Sequence, residues 1–227
     1  MPPEPPTPER RAADSLPSAS LLAFVGGSLD AFLYLQHGKV FAGAMTGNSV
    51  LAGIAFLSHD HAAIVSHLLP IAGFLVGVWI AKVLDHRLRH GVLIGLAAEI
   101  SGLALASLLP PRFPDDIFVP VISVLAAYQI TSFRSVDEYS YNSTFITGNL
   151  RTMMDGLYSA LDPAHRRQAL RKSRDLATII ASFILGAIAG TVLAPHAHNK
   201  TLWLSDSALL LVLGITLYRS RRNAPLS

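Results

Sequence analysis

Two long stretches of the chain carry almost no charge. Residues 62–81 (AAIVSHLLPIAGFLVGVWIA) contain no Asp, Glu, Lys or Arg, and residues 91–109 (GVLIGLAAEISGLALASLL) contain only Glu99. Each is close to the roughly 20 apolar residues that cross a hydrocarbon core about 30 Å thick. Only 15% of all residues are charged, whereas soluble domains average about a quarter. The sequence therefore predicts an all-α, polytopic membrane protein.

Six apolar runs are predicted to cross the membrane, at about residues 19–37, 64–85, 91–109, 117–134, 175–194 and 202–218. Two further segments, 40–57 and 143–161, contain Thr-Gly-Asn and either cross as well or enter the membrane and return. Cytoplasmic loops are enriched in Lys and Arg. Six spans with the N-terminus inside place 14 basic residues inside and three outside, whereas eight spans place 11 inside and six outside. The charges favour six spans, two re-entrant segments and cytoplasmic termini.

The two halves of the chain are similar around the Thr-Gly-Asn motifs. FLVGVWIA (74–81) follows the first motif and FILGAIAG (183–190) follows the second. Each half then contains three spans, and this odd number inverts the second half, as in many transporters. We therefore predict a 3+3 inverted repeat with its two units at residues 19–110 and 111–220. A disordered cytoplasmic tail at residues 1–18 precedes it, and a short cytoplasmic tail at residues 221–227 follows it.

Both motifs are predicted to break a helix near the middle of the membrane. Gly is permissive in its backbone angles, while Thr and Asn favour caps and turns. Residues 46–49 would then end one helical piece and cap a second, residues 50–57, that is only about 12 Å long. The free amides of two such ends suit an anion or a polar oxygen. The alternative is that Gly47 and Gly148 only allow helices to pack closely.

Ionisable side chains within apolar runs are candidates for solute binding. Asp30 lies in FVGGSLDAFLYLQH (24–37), where it shares a helix face with Tyr34 and His37. Glu99 lies near the middle of its run, and intramembrane carboxylates mark proton or cation pathways by default, with a structural carboxylate as the alternative. In the second half, Gln129 lies in the span equivalent to that of Asp30. The predicted substrate-binding residues are Asp30, Tyr34, Thr46, Gly47, Asn48, Glu99, Gln129, Thr147, Gly148 and Asn149.

These motifs resemble the YoaK-like family of uncharacterised bacterial inner-membrane proteins. The first half matches the family pattern through Gly27, Asp30, Phe41, Thr46, Gly47 and Asn48. The second half matches it through Thr144, Phe145, Thr147, Gly148 and Leu150, but has Asn149 where the family has Thr. The family's Gln-Asn-Ala is Gln129, Ile130 and Thr131 here, so its Asn is absent. The resemblance covers most of residues 20–220 and implies a six-span protein of the bacterial plasma membrane.

The leading functional prediction is a transporter or channel for a small solute or ion. The alternatives are a non-transporting assembly or partner-binding protein, and an intramembrane enzyme that uses Asp30 and His37. No HExxH, GxSxG or phosphate-binding loop is present, so we predict no catalytic residues, no metal and no cofactor. The net charge is only +3 and its basic residues lie beside apolar runs, which points to topology rather than nucleic acid. The expected partners are the lipid bilayer and an unknown small solute or ion, and a homo-oligomer is left open.

Overall fold

The computed structural model describes residues 13–88, 90–133, 135–136, 139–141 and 146–223. Its helices are α1 Leu16–Gln36, α2 Met45–Leu57, α3 His61–Arg87, α4 Gly91–Ser107, α5 Asp115–Ser132, α6 Ile146–Ser159, α7 Arg166–Ala197 and α8 Leu202–Asn223. A 3-10 turn, His198–Thr201, joins α7 to α8, and two short antiparallel strands, β1 Ser135–Val136 and β2 Tyr139–Ser140, follow α5. The predicted helical fold is confirmed, although the strand pair was not predicted. Thr144, Phe145, Arg134 and residues 1–12 and 224–227 lie outside the described residues.

Each of the six predicted spans contains a helix. By length and composition, three segments are apolar enough to cross a membrane: Leu16–Gln36, His61–Arg87 and Arg166–Arg222, the last of which contains both α7 and α8. Gly91–Ser107 and Met45–Leu57 are shorter apolar helices. The count of six spans therefore stays a prediction.

The helix α1 lies at the centre of the molecule. The apolar window of α1 is 67% buried inside the protein, whereas those of the other two candidate segments are 22% buried. On α3, Leu75 and Trp79 expose 65% and 68% of their surface, which suits contact with lipid. Most side chains on α1 therefore face protein, and the polar groups among them need protein partners or a cavity.

The termini of the helical region differ slightly from the predicted boundaries. Ser15 caps α1 by accepting a hydrogen bond from the amide of Ser18, and Pro17 stands in the first turn. Residues 16–18, which were assigned to the disordered tail, are therefore helical. At the other end, α8 continues to Asn223, so the predicted tail from residue 221 begins within a helix.

Glycines bring two pairs of helices into backbone contact. A Cβ atom added at Gly186 of α7 would collide with the carbonyl oxygen of Phe24 on α1, and one added at Gly77 of α3 would collide with that of Val124 on α5. Such close approaches are typical of small residues at membrane helix interfaces. Further packing joins α1 to α8, α4 to α5 and to α8, α2 to α3, and α6 to α7.

Candidate functional site

The two Thr-Gly-Asn motifs lie at helix starts rather than between helical pieces. The helix α2 begins at Met45 and α6 begins at Ile146, so both motifs fall in first turns. The predicted second piece at residues 50–57 is therefore wrong in its start, because α2 already includes the motif and is about 20 Å long. No side chain caps α2 at Ala44, because Asp30 and Asn48 hold the preceding backbone instead.

A cavity of about 670 Å³ lies where these helix starts meet α1 and α7. We call it the helix-start cavity. Thr46 of the first motif and Thr147 of the second both line it, together with Asp30 and Tyr34 of α1. Most of the remaining lining is apolar and comes from Gly27, Ala31, Leu35, Phe41, Ala44, Ile146, Phe183, Ala187 and Thr191. Two motifs that are far apart in the chain therefore face one cavity.

Asp30 connects α1 to the backbone that leads into α2. Its carboxylate oxygen Oδ1 accepts a hydrogen bond of 2.8 Å from the amide of Gly43, and the carboxylate also faces the amides of Ala42 and Ala44. The side chain is only 5% exposed. A carboxylate beside the start of a helix is favoured by the helix dipole. The helix ends were predicted to suit an anion or a polar oxygen of a solute, and at this end of α2 Asp30 already supplies carboxylate oxygens from within the protein.

Asn48 binds the connection before its own helix. Its Oδ1 atom accepts a hydrogen bond of 2.9 Å from the amide of Phe41, and its Nδ2 group donates one of 2.8 Å to the carbonyl oxygen of Phe41. Asn48 is fully buried. Since both ends of its amide are engaged, the structure gives Asn48 a positioning role rather than direct contact with a solute.

Gly47 makes room for the ring of Phe41. A Cβ atom at Gly47 would lie 2.9 Å from that ring, which is closer than real side chains approach. The same ring stacks on Tyr34 with centroids 5.2 Å apart. A Cβ atom at Gly148, in contrast, would meet no described residue within 4 Å. Gly47 therefore makes room for a ring of the preceding connection rather than for a second helix, and no close helix contact among the described residues involves Gly148.

The other predicted site residues lie elsewhere or beside the cavity. Asn149 is buried in the first turn of α6. Gln129 donates a hydrogen bond of 2.9 Å from Nε2 to the carbonyl oxygen of Leu22, which joins α5 to α1. Glu99 is 1% exposed on α4, and its charge interacts with that of Asp206 on α8. The cavity thus brings together Asp30, Tyr34, Thr46 and Thr147 but neither Gln129 nor Glu99.

Asp206 is an acid that the sequence reasoning did not single out. It lies in LWLSDSALLLVLG (202–214), is 2% exposed and, like Asp30 and Glu99, interrupts an apolar run. The rule that intramembrane acids are functional candidates would have found it.

His37 is fixed by contacts away from Asp30. Its ring atom Nδ1 lies 2.7 Å from Oδ1 of Asp115, and Nε2 lies 3.0 Å from Oδ1 of Asn199. The ring also stacks on Phe118 with centroids 4.1 Å apart. His37 therefore links the end of α1 to the start of α5 and to the 3-10 turn between α7 and α8. It does not pair with Asp30, as it would in an intramembrane enzyme that used both residues.

A larger cleft of about 1200 Å³ lies between α6, α7 and their connection. Asp162 and His165 in this cleft are exposed, with Oδ2 of Asp162 2.8 Å from Nδ1 of His165. The hydrogen bond from the amide of Ala164, followed by that from His165, holds the pKa of the Asp162 carboxyl below its usual value. These are features of a water-facing surface, so the smaller helix-start cavity is the better candidate site.

Comparisons with known proteins agree with this picture of an apolar helical protein. The profile of a family described as "Protein of unknown function (DUF1275)" matches residues 18–215. The chain is 27% identical over 205 residues to the UPF0700 transmembrane protein YoaK of Bacillus subtilis (strain 168), and the match covers 86% of this chain and 90% of that protein. No solved structure matches the chain. The resemblance to YoaK-like proteins is thereby confirmed, and the chain is a membrane protein that belongs to the DUF1275 family.

Proposed function

We propose that the protein is a transporter or channel that passes a small solute or ion through the helix-start cavity. The observation that carries this proposal is that Thr46 and Thr147, from the two halves of the chain, line the same cavity. Helix starts that meet inside a membrane protein are a recurring way to place polar backbone groups near a solute. The site residues are Asp30, Tyr34 and the two threonines, with Asn48 and Gly47 as positioning residues.

The packing of the helices supports an inverted repeat with α1–α4 and α5–α8 as its units. The helix α1 packs on α7 and α8, and α5 packs correspondingly on α3 and α4. Likewise, α2 packs on α3 as α6 packs on α7. The helices α2 and α6 have 13 and 14 residues, so each is about 20 Å long and too short for a hydrocarbon core of about 30 Å. We therefore infer six spans and two re-entrant helices.

The chemistry of the cavity favours a small polar solute. Its volume of about 670 Å³ falls within the usual range for small-molecule pockets, roughly 300–1,000 Å³. The hydroxyl groups of Tyr34, Thr46 and Thr147 can donate and accept hydrogen bonds. Because Asp30 is held by backbone amides, its charge belongs to the wall and disfavours an anionic solute.

The distribution of basic residues supports an inner-membrane location with cytoplasmic termini. The helix α7 begins with RRQALRKSRDL (166–176), and α8 ends with YRSRRN (218–223). In the six-span arrangement both segments lie on the cytoplasmic side, in agreement with the enrichment of Lys and Arg there.

Filling the cavity tests the proposed route. Thr46→Trp and Thr147→Trp each place an indole in the helix-start cavity, whereas Ser49→Trp places it at an exposed position of α2 that does not line the cavity. We expect the wild-type protein in liposomes to conduct at least one member of a panel of Na⁺, K⁺, protons, urea, glycerol and neutral amino acids. Both cavity variants should lose this flux and Ser49→Trp should keep it. No flux of any probe above that of empty liposomes would overturn the proposal and favour the partner-binding alternative.

Cross-linking tests whether the two motifs meet. The chain has no Cys, so a Thr46→Cys, Thr147→Cys double variant offers a single reactive pair. We expect a short bismaleimide to join these residues, and proteolysis followed by mass spectrometry detects the joined peptides. Leu57 lies at the far end of α2, about 16 Å from Thr46 along the helix, so the Leu57→Cys, Thr147→Cys control should not be joined. Equal yields from both pairs would refute the convergence of the helix starts.

A further inference from the structure

Two buried acids face each other's helices outside the helix-start cavity. Glu99 lies in the middle of α4, and Asp206 lies in the second turn of α8, which packs on α4. Glu99 is 1% exposed and Asp206 is 2% exposed, and Asp206 is near enough to act on the charge of Glu99. None of their four carboxylate oxygens has a hydrogen-bond partner among the described residues. These are carboxyl groups without the contacts that buried polar groups normally have.

Among the described residues, the helices around the pair provide no buried Lys or Arg. Apart from Glu99, α4 has no charged residue, and the arginines of α8 lie at its other end, about 20 Å from Asp206. On α5, Tyr128 packs its ring against Gly95 and donates its hydroxyl proton to the carbonyl oxygen of Gly91. The acid of α1, Asp30, is held by the amide of Gly43. Of the remaining bases on α3 and on the 3-10 turn, only His67 is buried. The others are exposed: His61, Lys82, His86, Arg87, His198 and Lys200.

An uncompensated pair of buried carboxylates is costly in its fully ionised form. Moving one ionised carboxylate out of water into an apolar region costs several kcal/mol even after relaxation, and a second negative charge nearby adds repulsion. Binding one proton removes one charge and the repulsion together. A divalent metal ion would need more ligands, and no third His, Asp or Glu joins the pair among the described residues.

We propose that Glu99 and Asp206 form a proton-binding site between α4 and α8. An O–H bond forms on one of the two carboxylates when a proton arrives from water and breaks when the proton leaves. The site is separate from the helix-start cavity, so it does not depend on transport through that cavity. Binding and release of a proton by Glu99 and Asp206 would then be coupled to the packing of α4 against α8 while the protein moves a solute.

Infrared spectroscopy of the purified protein tests this proposal directly. A protonated carboxylic acid has a C=O stretching band that an ionised carboxylate lacks, and this band shifts in D₂O. At about pH 7, where carboxyl groups in water with pKa values near 4 are ionised, we expect this band in the wild-type protein. We expect Glu99→Gln, Asp206→Asn to lose it and Asp60→Asn, a change at an exposed acid, to keep it.

Two further measurements keep the test decisive. If the double variant fails to fold, the single variants Glu99→Gln and Asp206→Asn are compared separately, and at least one should weaken the band. Raising the pH of the wild-type protein should also remove the band reversibly. A wild-type spectrum identical to that of the folded double variant would overturn the proposal. Loss of the band when NaCl replaces choline chloride would overturn it too, because the site would then take Na⁺ instead of a proton.

Discussion

Asn48 is the side chain whose truncation tests the arrangement of the first motif most directly. Asn48→Ala removes both hydrogen bonds that tie the first turn of α2 to Phe41, at 2.8 and 2.9 Å. It leaves the amide and the carbonyl of Phe41 without these partners, in a half-buried position. The connection between α1 and α2 then keeps the bond from Gly43 to Asp30 and the stacking of Phe41 on Tyr34 but loses its attachment to α2 through Asn48.

The expected loss of stability follows from these two bonds. A polar group left without its partner in a buried site costs about 1–3 kcal/mol, and partial exposure of Phe41 puts each cost toward the lower end. We therefore expect Asn48→Ala to destabilise the protein by about 2–4 kcal/mol. For a chain of 227 residues, this corresponds to a fall in melting temperature of roughly 5–15 °C.

Thermal unfolding in detergent measures this effect, with the soluble monodisperse fraction determined by size-exclusion chromatography after heating. Ser49→Ala is the matched control, because its hydroxyl is exposed and donates only to the carbonyl oxygen of Met45 within the same helix. We expect the control to change the stability by less than about 0.5 kcal/mol. If Asn48→Ala and Ser49→Ala have the same melting temperature, the attachment of Phe41 to Asn48 does not hold this connection, and the positioning role of Asn48 is wrong.

Two further predictions concern helix packing and topology. Gly186→Ala should destabilise the protein by about 1–3 kcal/mol, because its Cβ atom would overlap the carbonyl oxygen of Phe24. Gly214→Ala, where no described residue lies within 4 Å of the added Cβ atom, should not. Comparable melting temperatures of the two variants would contradict the close α1–α7 contact. In the six-span arrangement, a single Cys at Ser58 should react with an impermeant maleimide from outside whole cells, and one at Ser159 should react only after the membrane is opened. Labelling of Ser58→Cys from the cytoplasmic side alone would exclude a re-entrant α2.

The helical architecture was predictable because length and composition determine it. A run of about 20 apolar residues buries its backbone polar groups in a membrane only by forming a helix, and each of the six runs contains one. The start of α2 was not predictable in the same way. Thr-Gly-Asn reads as a cap or turn by local preference, but Asn48 is used by Phe41, seven residues earlier, so that its side chain does not cap the helix.

The similarity between the motifs also conceals a difference in packing. Gly47 lies under an aromatic ring, whereas none of the residues that the structure describes lies at the corresponding position beside Gly148. Two identical tripeptides therefore meet different surroundings, which depend on residues in other parts of each half. The sequence predicted that both motifs would break a helix and frame one pocket, but not that Gly47 would contact the ring of Phe41.

The acids in the apolar runs show why one sequence signal leads to different physical roles. Asp30, Glu99 and Asp206 all satisfy the rule that a charged side chain inside a membrane helix is functional by default. The partner of Asp30 is the backbone 13 residues later, which lets an ionised carboxylate be stabilised by amides that belong to the fold. Glu99 and Asp206 have neither amides nor bases beside them among the described residues, only each other's charge. The sequence gives no indication of this difference, because it depends on the packing of α4 against α8, which lie far apart in the chain. It follows that Asp30→Asn should weaken the attachment of α2, whereas neutralising Glu99 and Asp206 should leave the fold intact and remove a proton site.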